Sequence, residues 1–154
     1  MDGLSHVGLK SANLDVTERF YTQVLSGEVF RRREEPDRRI WMTVAGVRLE
    51  IAEMAPWAPF DDHQRLATPA VSFLASPTEV DDVAQQLRNL GVPHRGPVLK
   101  ATGQAVGLYF GDPDGNSLSL SCPDGYPAHG LDRNIAGSWA AAPYAWPGAP
   151  ARVR

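Results

Sequence analysis

The sequence predicts an α+β fold. Two βαβββ modules would build a curved mixed sheet with a concave face, their helices outside. Three observations predict it: a strand-then-helix pattern that occurs twice, three short β-like runs after each helix, and an offset of about 64 to 69 residues relating the copies. With 43% hydrophobic residues, 21% charged and a net charge of −3, the 154-residue chain has the apolar content of one ordinary globular domain.

The first module, about residues 3–55, opens with a strand pattern over Leu4-Ser5-His6-Val7-Gly8-Leu9. A helix from Leu14 to Leu25 follows. Asn13 is its N-cap, and Val16, Phe20 and Val24 recur every four residues. Three β-like runs come next, Gly27–Arg33, Arg39–Ala45 and Val47–Met54, separated by Glu35-Pro36-Asp37 and Ala45-Gly46. The second module, about 67–122, repeats the order from Thr68–Phe73. Its helix start is marked more strongly: Ser76-Pro77-Thr78-Glu79 is a capping box with proline at the first helical position. Val80, Val83, Leu87 and Leu90 form the apolar face, and Gly91 ends the helix. Strands are expected at Val98–Thr102, Ala105–Gly111 and Asn116–Cys122, the last pair joined by the turn Asp112-Pro113-Asp114-Gly115-Asn116.

Residues 123–154 differ in character. They are dense in Pro, Gly and Ala, which excludes regular helix or a central strand, yet they carry Tyr126, Trp139, Tyr144 and Trp146. This segment reads as an irregular arm, docked over its own domain (1–122), a pocket or a second subunit. The acidic net charge argues against general nucleic-acid or membrane affinity, and no apolar run approaches a membrane span. Cys122, the lone cysteine, leaves neither an intrachain disulfide nor a cysteine zinc cluster. A cytoplasmic protein is the expectation.

Alternation along strands selects the residues that reach the concave face. Val7 and Leu9 face the helix, which puts His6 opposite; Leu49 and Ile51 do the same for Glu50. Imidazole and carboxylate on one face could hold a divalent metal such as Fe, Mn, Ni or Zn, or could be an ordinary hydrogen-bonded strand pair. Trp41 and Thr43 share an alternation class and could line a cup there. The Arg31–Arg39 hairpin reads as a solvated turn or an anion-steering rim. Asp112, Asp114 and Asn116 imitate the start of a calcium loop, but Pro113 and Pro123 break that pattern.

The paired modules, with LSHVGL, Phe20-Tyr21-Thr22-Gln23-Val24-Leu25 and the terminal YFGDPDGNSLSL, resemble the vicinal oxygen chelate superfamily: glyoxalase I, bleomycin-resistance proteins, fosfomycin-resistance enzymes and extradiol dioxygenases. The resemblance covers residues 3–122. It implies a metal-dependent enzyme acting on a substrate with vicinal oxygens, or a non-catalytic, drug-sequestering protein of the bleomycin-resistance type. It further implies a homodimer. In metal-dependent members the first strand of a module supplies a His and its last strand a Glu; here these are His6 and Glu50, with Glu50 also a proton-moving catalytic group. The matching positions of the second module are Ala70 and Ser119, so two ligand positions are empty and Ser119 is left as a ligand-binding residue. His63, just before the second module, is the nearest candidate for a further metal ligand. His94, expected in a post-helix turn, and His129, in the arm, read as solvated.

Overall fold

The structure, a computed structural model, describes residues 3–54, 71–101, 103–133 and 143–147. Element order is β1 (Val7–Ser11), α1 (Leu14–Leu25), β2 (Glu28–Arg33), β3 (Arg39–Val44), β4 (Val47–Glu53), then β5 (Val71–Leu74), α2 (Pro77–Asn89), β6 (His94–Leu99), β7 (Val106–Gly111) and β8 (Ser117–Cys122). Each module makes its own four-stranded sheet, ordered β1-β4-β3-β2 and β5-β8-β7-β6. In each, the first strand pairs parallel with the last and the others pair antiparallel. The expected βαβββ duplication is present.

Local signals explain the helices. The Asn13 side chain accepts from the Val16 amide, and Ser26 ends α1 in the left-handed region at φ 52°. At α2 the reciprocal capping box of Ser76 and Glu79 is formed, and burial of Val80, Ala84 and Leu87 seats the helix. Ala45 (φ 47°) and Gly46 (φ 78°) make the two-residue turn that joins β3 to β4.

Among the described residues, two strands start three or more residues from their expected positions. The first begins at Val7, so His6 lies just ahead of β1 rather than inside a strand. β6 begins at His94, four residues before the expected Val98, which corrects the placement of His94 in a turn. Gly96 and Pro97 read as strand breakers, but β6 is an edge strand with a register shift between Arg95 and Val98, where a residue without an amide donor is tolerated.

The helix-covered faces of both sheets feed one core. Met42, Leu49 and Ile51 of the first module join Phe73, Leu108 and Leu118 of the second, with Phe20, Tyr21, Val80 and Leu87 from the helices. Of the arm, Trp146 is buried edge-on against Phe20 at 5.7 Å between ring centroids, and the Tyr144 hydroxyl donates to the Gly111 carbonyl at 3.0 Å. Polar contacts also tie the modules together. The Ala12 amide and the Thr17 hydroxyl both donate to Asp114 at 2.9 Å, and the Tyr21 hydroxyl donates to Asp112 at 3.0 Å. The calcium-like trio Asp112, Asp114 and Asn116 is thus part of an internal polar junction. No helix among the described residues is long and apolar enough to cross a membrane.

Candidate functional site

In β4, Leu49 and Ile51 are fully buried under α1, which turns Glu50 to the open face of the first sheet. The register sets its neighbours. Glu50 lies beside Gly8 on one side and Trp41 on the other, with Arg31 beyond Trp41. The adjacent row holds Ala52, Arg39 and Arg33, and the row on the other side holds Arg48, Thr43 and Glu28. Gly8 carries no side chain, so the space over it stays open beside Glu50.

His6 enters from the segment ahead of β1. Its Nε2 is 3.4 Å from Glu50 Oε2, with the imidazole 48% exposed and the carboxylate 19% exposed. The other Glu50 oxygen pairs with the Arg39 guanidinium. That guanidinium, helped by the Trp41 indole and by His6, holds the Glu50 carboxyl below the usual carboxylate range against the opposing effect of burial. Arg31 lies over the Trp41 ring at 4.8 Å and Arg33 at 5.8 Å, while Asp37 pairs with both Arg33 and Arg39. Beside His6, Leu4, Ser5, Val47 and Arg48 line a cavity of about 310 Å³. A larger cleft of about 580 Å³ lies elsewhere, between the end of α1 and the start of α2, and touches none of these residues.

The structure therefore brings His6, Glu50, Trp41 and Thr43 onto one face. Ser119 sits apart, on the second sheet, 1% exposed, donating to Ser72 Oγ at 2.8 Å. The register confirms the equivalence of the modules: Gly8 pairs with Glu50 as Ser72 pairs with Ser119. His63 and Ala70 lie outside the described residues. His94 Nδ1 is 2.8 Å from the Val92 carbonyl oxygen, a local contact, and His129 is exposed. Sequence reasoning missed Arg39 and Arg31. Arg39 shares the parity of Trp41 and Thr43 on β3, a signal that the surrounding run of charges obscures.

The family model for the Glyoxalase/Bleomycin resistance protein/Dioxygenase superfamily matches residues 3–120. The chain belongs to that superfamily. A Salmonella typhimurium (strain LT2) relative, virulence protein STM3117, is 28% identical over 129 residues, covering 79% of this chain and 84% of its own length. Among solved structures, a mutant of the fosfomycin resistance protein FosX from Listeria monocytogenes, complexed with Mn(II) and 1S,2S-dihydroxypropylphosphonic acid, shares the fold with a TM-score of 0.69. It is 21% identical, over 80% of this chain and 94% of that one. A glyoxylase/bleomycin resistance protein/dioxygenase domain from Frankia sp. EAN1pec reaches 0.66 at 22% identity, over 80% and 93%.

The FosX structure contains Mn(II), and the residues of this chain can be tested for their fit to a divalent cation. Two donors 3.4 Å apart can share one cation, because each metal–ligand bond is roughly 2.1 Å. A carboxylate held ionised and an exposed imidazole nitrogen are suitable donors. Among the described residues no group of three or more His, Cys, Asp or Glu could complete the shell. The fit is to two ligand positions, and Arg39 already neutralises one of the two donors.

Proposed function

We propose that this chain is a small-molecule enzyme of the glyoxalase/dioxygenase kind, with His6 and Glu50 as two ligands of a divalent cation. The observation that carries this reading is the 3.4 Å approach of His6 Nε2 to Glu50 Oε2 on the open face of the first sheet. When bound, the cation would supply Lewis acidity to a substrate that chelates through two adjacent oxygens. His63 is assigned as a further ligand, and a homodimeric, cytoplasmic protein is part of the same reading. Trp41 and Thr43 flank the pair and would orient the substrate; Ser119 would contact ligand from the second module.

Glu50 suits the ligand role better than the base role. A carboxyl held below its ordinary range stays ionised and available to a cation, but its affinity for a proton is weakened by the same Arg39 contact. Its share in proton movement would require a substrate that displaces Arg39.

A second reading has its own observation. Arg39 on Glu50 and Arg31 on Trp41 already complete a neutralised, aromatic-floored surface, which suits a metal-free, ligand-sequestering protein. Metal analysis separates the two. The enzymatic reading expects near-stoichiometric Fe, Mn, Ni or Zn in purified protein, with the metal lost in His6→Ala. A metal-free protein whose melting temperature none of these ions raises would remove the catalytic reading and leave sequestration.

A further inference from the structure

Glu50 presents its two oxygens to two different partners. Oε2 faces His6 Nε2 at 3.4 Å, and Oε1 accepts from Arg39 Nη1. Arg39 is itself held between two carboxylates, because its Nε donates to Asp37 Oδ2. Asp37 takes Arg33 on its other oxygen. An ion-pair chain thus runs from Asp37, in the turn between β2 and β3, through Arg39 to Glu50.

A divalent cation shared by His6 and Glu50 would meet a guanidinium already seated on the same carboxylate. The two positive charges repel, and on a partly exposed face that repulsion is worth about tenfold in affinity. A guanidinium on Oε1 also closes the two-oxygen mode of ligation and leaves Oε2 alone for the ion. Calcium, which binds oxygen ligands and often takes a carboxylate through both oxygens, loses most by this. An ion that accepts imidazole, such as Mn(II) or Zn(II), needs only one. Asp37 acts in the opposite sense. It draws the same guanidinium towards the turn and so weakens its hold on Glu50.

We infer that Arg39 is a positioning residue that competes with the cation for Glu50 and confines the carboxylate to single-oxygen ligation, with Asp37 setting the strength of that competition. The first-sheet site is thereby tuned to weak binding and against calcium. The inference rests on the reading of His6 and Glu50 as cation ligands and names what tunes them.

The test is calorimetric titration of metal-free protein with Mn(II) and with calcium. Arg39→Met should tighten Mn(II) binding about tenfold, and calcium binding by a larger factor because the second oxygen is regained. Asp37→Asn should weaken Mn(II) binding severalfold in the wild-type background. In the Arg39→Met background it should change little, because Asp37 acts through Arg39. Wild-type binding that Arg39→Met leaves as it was overturns the competition, while the ligand reading stands. An equal gain for both ions overturns single-oxygen ligation, since loss of charge alone would favour both alike. An Asp37→Asn effect that persists without Arg39 overturns the role of Asp37. Mn(II) binding by Arg39→Met and not by wild type supports the competition in its strongest form. If neither protein binds Mn(II), or if binding survives His6→Ala, the ligand reading itself fails and the inference falls with it. Should Arg39→Met not fold, Arg39→Gln serves for the same comparisons.

Discussion

Glu50 and Ser119 hold the same register position in their modules, yet their surroundings diverge at every neighbour. Across from Glu50 stand a glycine and a tryptophan; across from Ser119, a serine and a tyrosine. Glu50 is paired with one guanidinium and touched by an imidazole, whereas Ser119 is buried in a hydroxyl pair. The helix-facing residues of the two sheets, by contrast, are interchangeable in kind: Leu49 and Ile51 in one, Leu118 and Leu120 in the other. Duplication preserved what packs and released what faces outward. An apolar position serves the core with any side chain of the right volume, while an open-face position is free to acquire a charge or lose it.

The two modules share one core, and the strongest way to separate them is at their junction. Asp112 is fully buried and accepts from the Tyr21 hydroxyl of the first module, from the Asn116 side chain, and from the Asp114 and Asn116 amides. Asp112→Ala strands four donors and should cost about 4 kcal/mol in urea unfolding, with a single transition retained. Two transitions would show modules that unfold separately. Burial also pushes Asp112 up to about 7, above its unfolded range near 3.9. The folded state therefore holds this proton more tightly, so the contribution is full below about pH 4 and is lost as pH rises towards 7. Asp112→Asn should abolish that decline whatever its effect on absolute stability. A wild-type curve flat between pH 4 and 7 would show a carboxylate ionised throughout.

Much of this architecture could be read before any coordinates. Asn13, Ser76 and Glu79 announce their helices because capping is local chemistry, and the Ala45-Gly46 and Asp112–Asn116 turns are local too. Alternation sufficed to put Glu50, Trp41 and Thr43 on one face, since a strand has only two sides; His6 reaches that face from ahead of β1, where alternation does not apply. It failed where a contact depends on reach across strands. Arg39 meeting Glu50, and Lys100 meeting Ser121 from another element, depend on long side chains whose direction no period encodes. The start of β6 is not legible for a related reason: proline is excluded from a central strand, and only the sheet order reveals that β6, which contains Pro97, is at an edge.

A sharper probe of the two faces is to exchange their chemistry. Ser119→Glu places a carboxylate where Glu50 sits in the other module, but with neither Arg39 nor Trp41 to receive it. Ser119 is 1% exposed, so the new charge would be buried beside Ser72 and should cost about 2 kcal/mol in chemical denaturation. A neutral or stabilising result would mean that Lys100 can swing from Ser121 to the new carboxylate, and that the second face is less committed to hydroxyls than its geometry indicates.

The smallest expected effect belongs to the most prominent residue. Glu50→Gln removes the charge that faces Arg39 and His6 but keeps an oxygen for the Trp41 indole. Because the pair lies on a half-exposed face, screening limits its worth to roughly 0.5–1 kcal/mol. The sign with pH is fixed by the direction of the shift. A carboxyl held below its ordinary range lends stability above its unfolded pKa, near 4.3, and that stability is lost as pH falls through the lower folded value. Wild type should thus exceed Glu50→Gln by a constant margin from pH 6 to 8, and the margin should close in strongly acid solution. An unchanged or raised melting temperature at pH 7 would mean that Arg39 gains as much from water as from Glu50, which leaves the carboxylate free for a cation.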